Sequence, residues 1–348
     1  MTIDTPVKQT STARFLSKLD STAPPLEVRD LHVEFRTNQG MAHAVNGMNF
    51  VLGEGETRAI LGESGSGKSV TAQAIMGILD SPPAKITKGE ILYRGVDLLK
   101  LPEEDRRRVR ANHIAMIFQD ALSALNPVFT VGFQLGELFR KHRGMSRQAA
   151  KAKAIELLDM VRIPAAKDRV NDFPHQFSGG MRQRVMIAMA LALEPEILIA
   201  DEPTTALDVT VQAQVMNLLA DLQAEHNMSL ILITHDMGVV ADVADSISVM
   251  YAGRVVEDAP VRDIYARPAH PYTKALIESI PRVDMKGQEL AVIKGLPPVL
   301  TNIPPGCAFH PRCRFAQDKC KQPPEPPHYD VDVNRISACH FWREVIEA

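Results

Sequence analysis

From Leu26 onward apolar residues punctuate a polar background at close to a two-residue period, with Val28, Leu31, Val33 and Phe35 the clearest positions. This spacing predicts edge strands of an antiparallel sheet. Residues 58–61 (Arg-Ala-Ile-Leu) form a short apolar strand that runs straight into Gly62, and residues 70–79 return with the spacing of a helix. Between about 100 and 176 the character changes. Helical periodicity runs over 131–143 and 146–161, and strand signals are few. Two unbroken apolar runs follow, Ile-Leu-Ile-Ala at 197–200 and Leu-Ile-Leu-Ile at 230–233, with a helical pattern over 209–225 between them. Neither run has a polar face, the mark of central parallel strands covered on both sides. The pattern predicts an α/β fold: a parallel core joined to antiparallel strands, interrupted by a helical insertion, with no internal repeat.

Composition narrows this only slightly. The 348 residues suffice for one large domain with an appendage, or for two domains. Hydrophobic residues at 45% and charged residues at 23% are ordinary for a globular chain. A net charge of −3 argues against a general nucleic-acid binder, which carries a basic excess. No uncharged apolar run approaches the roughly 18–20 residues that span a bilayer. The nearest, at 185–193 and 229–234, suit buried elements. The first 25 residues are rich in Ser, Thr and Pro without the apolar centre of a signal peptide, so a disordered tail and a cytoplasmic chain are expected. The charge run at 105–108 fits a solvated helix face.

Candidate chemistry begins at residues 62–69, Gly-Glu-Ser-Gly-Ser-Gly-Lys-Ser, which fit G-x-x-x-x-G-K-S between a strand and a helix. Backbone N–H groups of such a loop cradle phosphates, Lys68 reaches the β and γ oxygens, and the Ser69 hydroxyl takes Mg²⁺. The run at 197–200 ends in Asp201-Glu202. An acid at the end of a buried strand is costly unless it serves an ion, so Asp201 is expected on Mg²⁺ through water and Glu202 on the attacking water. His235 ends the next apolar strand, where it could sense the γ-phosphate. Gln119 ends a short apolar strand where the insertion begins, within reach of Mg²⁺ or that water. Taken singly, His235 reads more readily as a structural histidine and Gln119 as a surface glutamine. Ser178-Gly179-Gly180 opens a helix about twenty residues before the acidic pair. Its glycines and helix N-terminus offer a second phosphate-binding surface, lent either to the same nucleotide or to one held by another chain.

In this order and spacing the five segments resemble the ATP-binding subunit of ABC transporters, a P-loop NTPase fold with a RecA-like core, an antiparallel β subdomain and a helical insertion. The resemblance covers essentially residues 26–348. It implies that Gly62, Ser64, Gly65, Ser66, Gly67, Lys68 and Ser69 of the Walker A loop hold ATP, with Mg²⁺ on Ser69, Gln119 and Asp201. It makes Gln119 the Q-loop, Ser178, Gly179 and Gly180 the signature acting on a partner's ATP, Glu202 the catalytic base and His235 the switch histidine. Residues 205–208 become the D-loop, ending in Asp208. Phe35 falls where the family stacks an aromatic on adenine, though it reads as well as a core strand aromatic. Two departures stand in the signature, Phe177 for the commoner Leu and Met181 for the commoner Gln. Neither removes the Ser hydroxyl or the glycine N–H groups.

All four cysteines lie in the last 42 residues, as Cys307-x5-Cys313-x6-Cys320-x18-Cys339 amid many prolines. Four states are open: disulfides, which a cytoplasmic compartment disfavours; structural zinc, with His310 and His340 as further ligands but no Cys-x2-Cys knuckle; unliganded thiols; and an iron–sulfur cluster on all four thiolates. The stretches His-Pro-Tyr-Thr at 270–273, Pro-Arg at 281–282, Gly-Leu-Pro-Pro at 295–298 and 306–313 look like the carboxyl-terminal extension of oligopeptide and dipeptide importer ATPases, as do 119–127 and 201–212. That resemblance implies a [4Fe–4S] cluster on Cys307, Cys313, Cys320 and Cys339, with zinc the alternative and a structural staple preferred to a redox sensor.

The domains expected are a tail (1–25), a cassette (26–258, helical subdomain about 100–176) and an extension with the cysteines (259–348). The implied function is ATP hydrolysis that energises import of di- or oligopeptides from the cytoplasmic face of the inner membrane. The implied partners are a second, related ATPase in a head-to-tail heterodimer, two transmembrane permeases and an extracytoplasmic peptide-binding protein, with no nucleic acid. Nickel or another small solute is the alternative cargo. A soluble ABC ATPase of DNA repair or translation is the contrasting class, and it fits poorly. Lys68 and Asp201 are only 133 positions apart, too close for an intervening coiled coil, and the chain holds one cassette.

Overall fold

The computed structural model describes residues 18–120, 124–205, 207–280 and 292–348. Residues 1–17 of the expected tail, Ala206 of the D-loop, residues 121–123 and the Pro281-Arg282 pair lie outside the described residues.

The chain opens with β1 (Leu26–Thr37), β2 (Gly40–Leu52) and β3 (Thr57–Leu61), then α1 (Lys68–Met76), β4 (Ala84–Tyr93), β5 (Val96–Asp97), α2 (Glu103–Asn112) and β6 (Ile114–Ile117). The helical insertion supplies α3 (Val131–Arg143), α4 (Arg147–Met160) and α5 (Ala166–Arg169). The chain then returns through α6 (Gly179–Leu191), β7 (Ile197–Asp201), α7 (Val209–His226), β8 (Ser229–Thr234), α8 (Met237–Val243), β9 (Ser246–Tyr251) and β10 (Arg254–Pro260). Last come α9 (Val261–Ala266), α10 (Pro271–Glu278), β11 (Tyr329–Asp332), β12 (Arg335–Ser337) and α11 (Trp342–Glu347).

Two sheets organise these elements. One has the order β2-β1-β4-β5, all antiparallel. β1, expected at an edge, is flanked on both sides. The other has the order β11-β12-β10-β9-β3-β8-β7-β6 and is parallel from β9 through β6. Every residue of β3, β7 and β8 is buried, as their unbroken apolar runs predict. Successive side chains point to opposite faces of a strand, and here they divide between two cores. Ala59, Leu61, Leu198, Ala200, Leu230 and Leu232 join the helical insertion, whose Val131, Leu135, Ala154 and Leu158 share their core. Ile60, Ile197, Ile199, Ile231 and Ile233 face α1 and the antiparallel sheet, where Val28, Leu31, Ile75 and Ile91 pack.

Two helices of the insertion are capped at their starts by side chains. Thr130 accepts from Phe133 N at 3.3 Å ahead of α3, and Ser146 accepts from Ala149 N at 3.3 Å ahead of α4. Each satisfies an N–H that the helix itself leaves unpaired.

Three findings modify the expected organisation. α2 and β6 belong to the core, β6 pairing with β7, so the inserted helices begin only after residue 120. Residues 20–23 are tied down: Asp20 N donates to Arg94 O at 3.0 Å, and Arg94 Nη1 donates to Ala23 O at 2.9 Å. β10 continues past residue 258 and pairs with β12, so the carboxyl-terminal segment adds β12 and β11 to the main sheet. Its attachment includes a buried ion pair, Arg335 Nη2 to Glu257 Oε1 at 3.5 Å. Glu257 also accepts from Ala269 N at 2.7 Å and His270 N at 2.9 Å.

Candidate active site

β3 ends at Leu61, and the next eight residues turn through a gap bounded by two other strands. A Cβ on Gly62 would lie 2.2 Å from Met250 O of β9, and one on Gly67 would lie 2.2 Å from Ala44 O of β2. Gly67 also has a φ of 105°, which side chains rarely tolerate. The loop can therefore pass only as glycine at these points, and it delivers Lys68 and Ser69 to the first turn of α1. Lys68 is 4% exposed, and its Nζ donates to the loop's own carbonyls, Gly62 O at 2.7 Å and Glu63 O at 3.1 Å. Burial pushes its pKa down, while the Glu202, Asp201 and Glu63 carboxylates oppose that. Ser66 Oγ is buried and has no partner among the described residues. A buried hydroxyl left unpaired is costly, and a phosphate oxygen in this cradle would satisfy it. The loop fits a polyphosphate.

At the end of β7, Asp201 Oδ1 accepts from Ser69 Oγ at 3.0 Å. Burial raises the Asp201 pKa, and the Ser69 hydrogen bond works against that rise. Two oxygens this close suit a hard divalent cation such as Mg²⁺, which prefers oxygen ligands. Glu202 follows at a φ of 46° with its N–H bonded to Ile233 O at 2.8 Å, and its carboxylate gathers three side chains. Gln119 Nε2 donates to Oε2 at 2.8 Å, Thr205 Oγ1 donates to Oε2 at 2.9 Å, and His235 Nδ1 lies 3.4 Å from Oε1. Gly62, Ser64, Gln119, Glu202 and His235 line one cavity of about 560 Å³.

The remaining sequence candidates sit elsewhere. Ser178 caps α6, accepting from Met181 N at 3.3 Å, and is exposed along with Gly179. A Cβ on Gly180 would lie 2.5 Å from Val211 Cγ1 of α7. Phe177, the departure from the commoner Leu, is 2% exposed in the core beneath. Asp208 caps α7, accepting from Val211 N at 2.9 Å. None of the signature residues lines the cavity. Phe35 is half-buried against the antiparallel-sheet core, in register with Ala42 and Ala84.

The cysteines are all free. Cys320 and Cys339 are buried, and Cys307 and Cys313 half-buried. Two 3₁₀ turns, His310–Arg312 and Asp318–Lys321, carry the chain around them, and Cys307 N donates to Cys320 O at 2.8 Å. Burial pushes the Cys313 thiol up to about 11 and the Cys339 thiol up to about 12, and nearby cysteines add to both. Among the described residues, however, no three His, Cys, Asp or Glu side chains converge closely enough to hold a metal ion. The metal and iron–sulfur expectation has no preformed site behind it. His310 Nδ1 is engaged with Cys307 O at 2.9 Å and His340 Nδ1 with Tyr329 Oη at 2.8 Å, so neither is poised as a zinc ligand through that nitrogen.

Sequence reasoning missed residues that the extension brings to the loop. Leu276 and Pro297 line the cavity, while Tyr272 and Arg312 both bond to Glu63. Tyr272, Pro297 and Arg312 lie in the stretches noted at 270–273, 295–298 and 306–313, but nothing local assigns Arg312 to Glu63, its partner 249 positions away.

Two family profiles match the chain, "ABC transporter" over residues 45–205 and "Oligopeptide/dipeptide transporter, C-terminal region" over 256–320. The oligopeptide transport ATP-binding protein OppD of Bacillus subtilis is 53% identical over 307 residues, spanning 88% of this chain and 86% of the relative. The dipeptide transport ATP-binding protein DppD of the same organism is 54% identical over 288 residues, 83% and 86% of the two chains. OppD of Salmonella typhimurium is 50% identical, covering 90% and 92%. Among solved structures, a dimeric ATP-binding cassette in a post-hydrolysis state with ADP and phosphate bound aligns at a TM-score of 0.61 and 30% identity, over 68% of this chain and 99% of that one. With about half the residues identical over 83–90% of its length, and both family profiles matched, the chain belongs to the ABC transporter family as one of its oligopeptide/dipeptide transport ATP-binding proteins.

Proposed function

We propose that this chain binds ATP at the Lys68 loop and hydrolyses it to drive import of di- or oligopeptides. The gathering of Gln119, Thr205 and His235 on the Glu202 carboxylate, at the mouth of the phosphate loop, carries this reading. Lys68 and the unpaired Ser66 hydroxyl bind phosphate oxygens. Glu202 accepts the proton of the attacking water, Gln119 orients that water, and His235 hydrogen-bonds the γ-phosphate. Mg²⁺, held by Ser69 and Asp201 with Gln119 nearby, would neutralise charge on the transferred phosphoryl group.

The cassette works as a head-to-tail pair with a second, related ATPase. Support comes from the signature, which is exposed and lies off this chain's own cavity, and from the exposed Val209 beside Asp208. Exposed Phe118, which precedes Gln119, and the exposed, mutually stacked Phe129 and Phe133 suit docking of two membrane permeases. No helix among the described residues is long and apolar enough to cross a membrane. In this reading the chain acts peripherally, docked on the permeases at the inner membrane's cytoplasmic face. An extracytoplasmic peptide-binding protein supplies the substrate. The cassette is residues 26–258 and the extension 259–348.

The complex reconstituted in vesicles should take up labelled tripeptide with ATP. Uptake of nickel in place of any peptide overturns the substrate assignment. For the extension we propose a [4Fe–4S] cluster held by Cys307, Cys313, Cys320 and Cys339, cross-linking a Pro-rich loop. All four thiols are free, and Cys307 N donates to Cys320 O at 2.8 Å, which supports it. Iron and sulfide analysis of anaerobically purified protein tests it, and stoichiometric zinc without visible absorption overturns it.

A further inference from the structure

The carboxyl-terminal extension does more than extend the sheet. Glu63, the second residue of the phosphate loop, is gripped from it at two points. The Glu63 backbone N–H donates to Tyr272 Oη at 2.8 Å. Its carboxylate takes a two-pronged ion pair from Arg312, Nη1 to Oε2 at 2.5 Å and Nη2 to Oε1 at 2.8 Å. The Arg312 side chain is only 5% exposed. Its guanidinium sits 5.8 Å from the Tyr251 ring and 5.9 Å from the Phe309 ring, with Nη1 also donating to Tyr251 Oη at 3.3 Å and Nε to Lys294 O at 3.1 Å. Tyr272 is wholly buried, its ring 4.7 Å from that of Tyr251. Both groups are therefore rigid, and the loop residue they hold is not free to move independently.

We propose that Arg312 and Tyr272 are positioning residues for nucleotide binding, acting through Glu63, so that the extension forms part of the ATP site's frame. Two links connect them to the bound phosphates. The carbonyl of Glu63 is one of the two acceptors of Lys68 Nζ, so a shift of Glu63 moves the lysine's anchor. The Glu63 carboxylate would also repel an incoming polyanion, and Arg312 neutralises it with a planar fork that fixes its direction. This inference rests on ATP binding at the Lys68 loop. It adds that a segment 249 positions away sets the affinity.

The test uses the full-length chain, a fluorescent ATP analogue for Kd and a nucleotide-free thermal melt for folding. Arg312→Met should weaken ATP binding about 10-fold or more, Arg312→Lys should recover part of the loss, and Tyr272→Phe should weaken it by roughly three- to tenfold. Adding Glu63→Gln to Arg312→Met should restore part of the affinity, because it removes the carboxylate left unpaired. A simple staple would not respond in that way. If folded Arg312→Met binds ATP within twofold of wild type, the proposal is overturned. Should Arg312→Met fail to fold, Tyr272→Phe decides, since it removes one oxygen and keeps the ring; unchanged affinity there overturns the proposal equally. A wild-type chain that binds no ATP overturns the ATP reading itself, and this inference with it.

Discussion

Glu202 concentrates the site's chemistry in one carboxylate. Three side chains from three parts of the chain meet it, Gln119 after β6, Thr205 just beyond β7 and His235 after β8. A carboxylate with its lone pairs directed in this way can hold a water against the phosphate and accept its proton. Glu202→Gln keeps the shape and removes the proton acceptor. It should bind ATP as wild type does, lose about 100-fold or more in phosphate release, and accumulate as a closed dimer by gel filtration. Hydrolysis at a near-normal rate in that variant would mean that another group is the base. Lys68→Ala acts earlier. It removes the buried cation that faces the Asp201, Glu202 and Glu63 carboxylates, so a nucleotide titration should find binding itself lost. Both residues were legible in the sequence because loop and strand-end chemistry is local. Thr205 was legible only as part of a motif, and its bond to Glu202 came from the fold.

The same division holds among the elements. The runs at 197–200 and 230–233 announce buried parallel strands because both faces of each are covered, and the structure pairs β7 with β8 and β8 with β3. β1 read as an edge because its polar side is visible in the pattern, whereas its neighbours β2 and β4 depend on pairing the pattern does not encode. β11 and β12 were hidden among prolines, being four and three residues long. Two glycines show how closely the elements are fitted. At Gly67 the obstacle is a backbone oxygen of β2, which cannot rotate away. Gly67→Ala should cost roughly 1–3 kcal/mol of stability and abolish ATP binding, checked by urea unfolding and nucleotide titration. At Gly180 the obstacle is a side chain, Val211 Cγ1 on α7. Gly180→Ala should destabilise by a similar ~1–3 kcal/mol, and adding Val211→Ala should recover much of it. If the double variant is no more stable than the single one, the α6–α7 contact is not what excludes the side chain.

At the scale of the molecule, the question is what keeps the extension seated on the cassette, since Tyr272 and Arg312 reach the phosphate loop only while it is. The joint lies at β10 and β12, where Glu257 is 0% exposed and faces Arg335, also buried. Burial raises the Glu257 pKa to about 7 from 4.5, against the opposing pull of the Ala269 and His270 N–H groups and of Arg335. His270 beside it stays neutral across this range, its own pKa pushed down to about 3 by burial. A carboxyl with a raised folded pKa binds its proton more tightly in the native state, so its contribution is fully present below 4.5 and is lost as pH rises through about 7. The shift corresponds to ~3 kcal/mol at most. Glu257→Gln keeps an acceptor for the two N–H groups and cannot titrate. Urea midpoints at pH 5, 6, 7 and 8 should therefore fall for wild type relative to Glu257→Gln between pH 5 and 7 and then level off. A constant difference across that range would show that Glu257 stays ionised beside Arg335. The joint would then be a permanent ion pair, and the seating of the extension would not respond to pH through this residue.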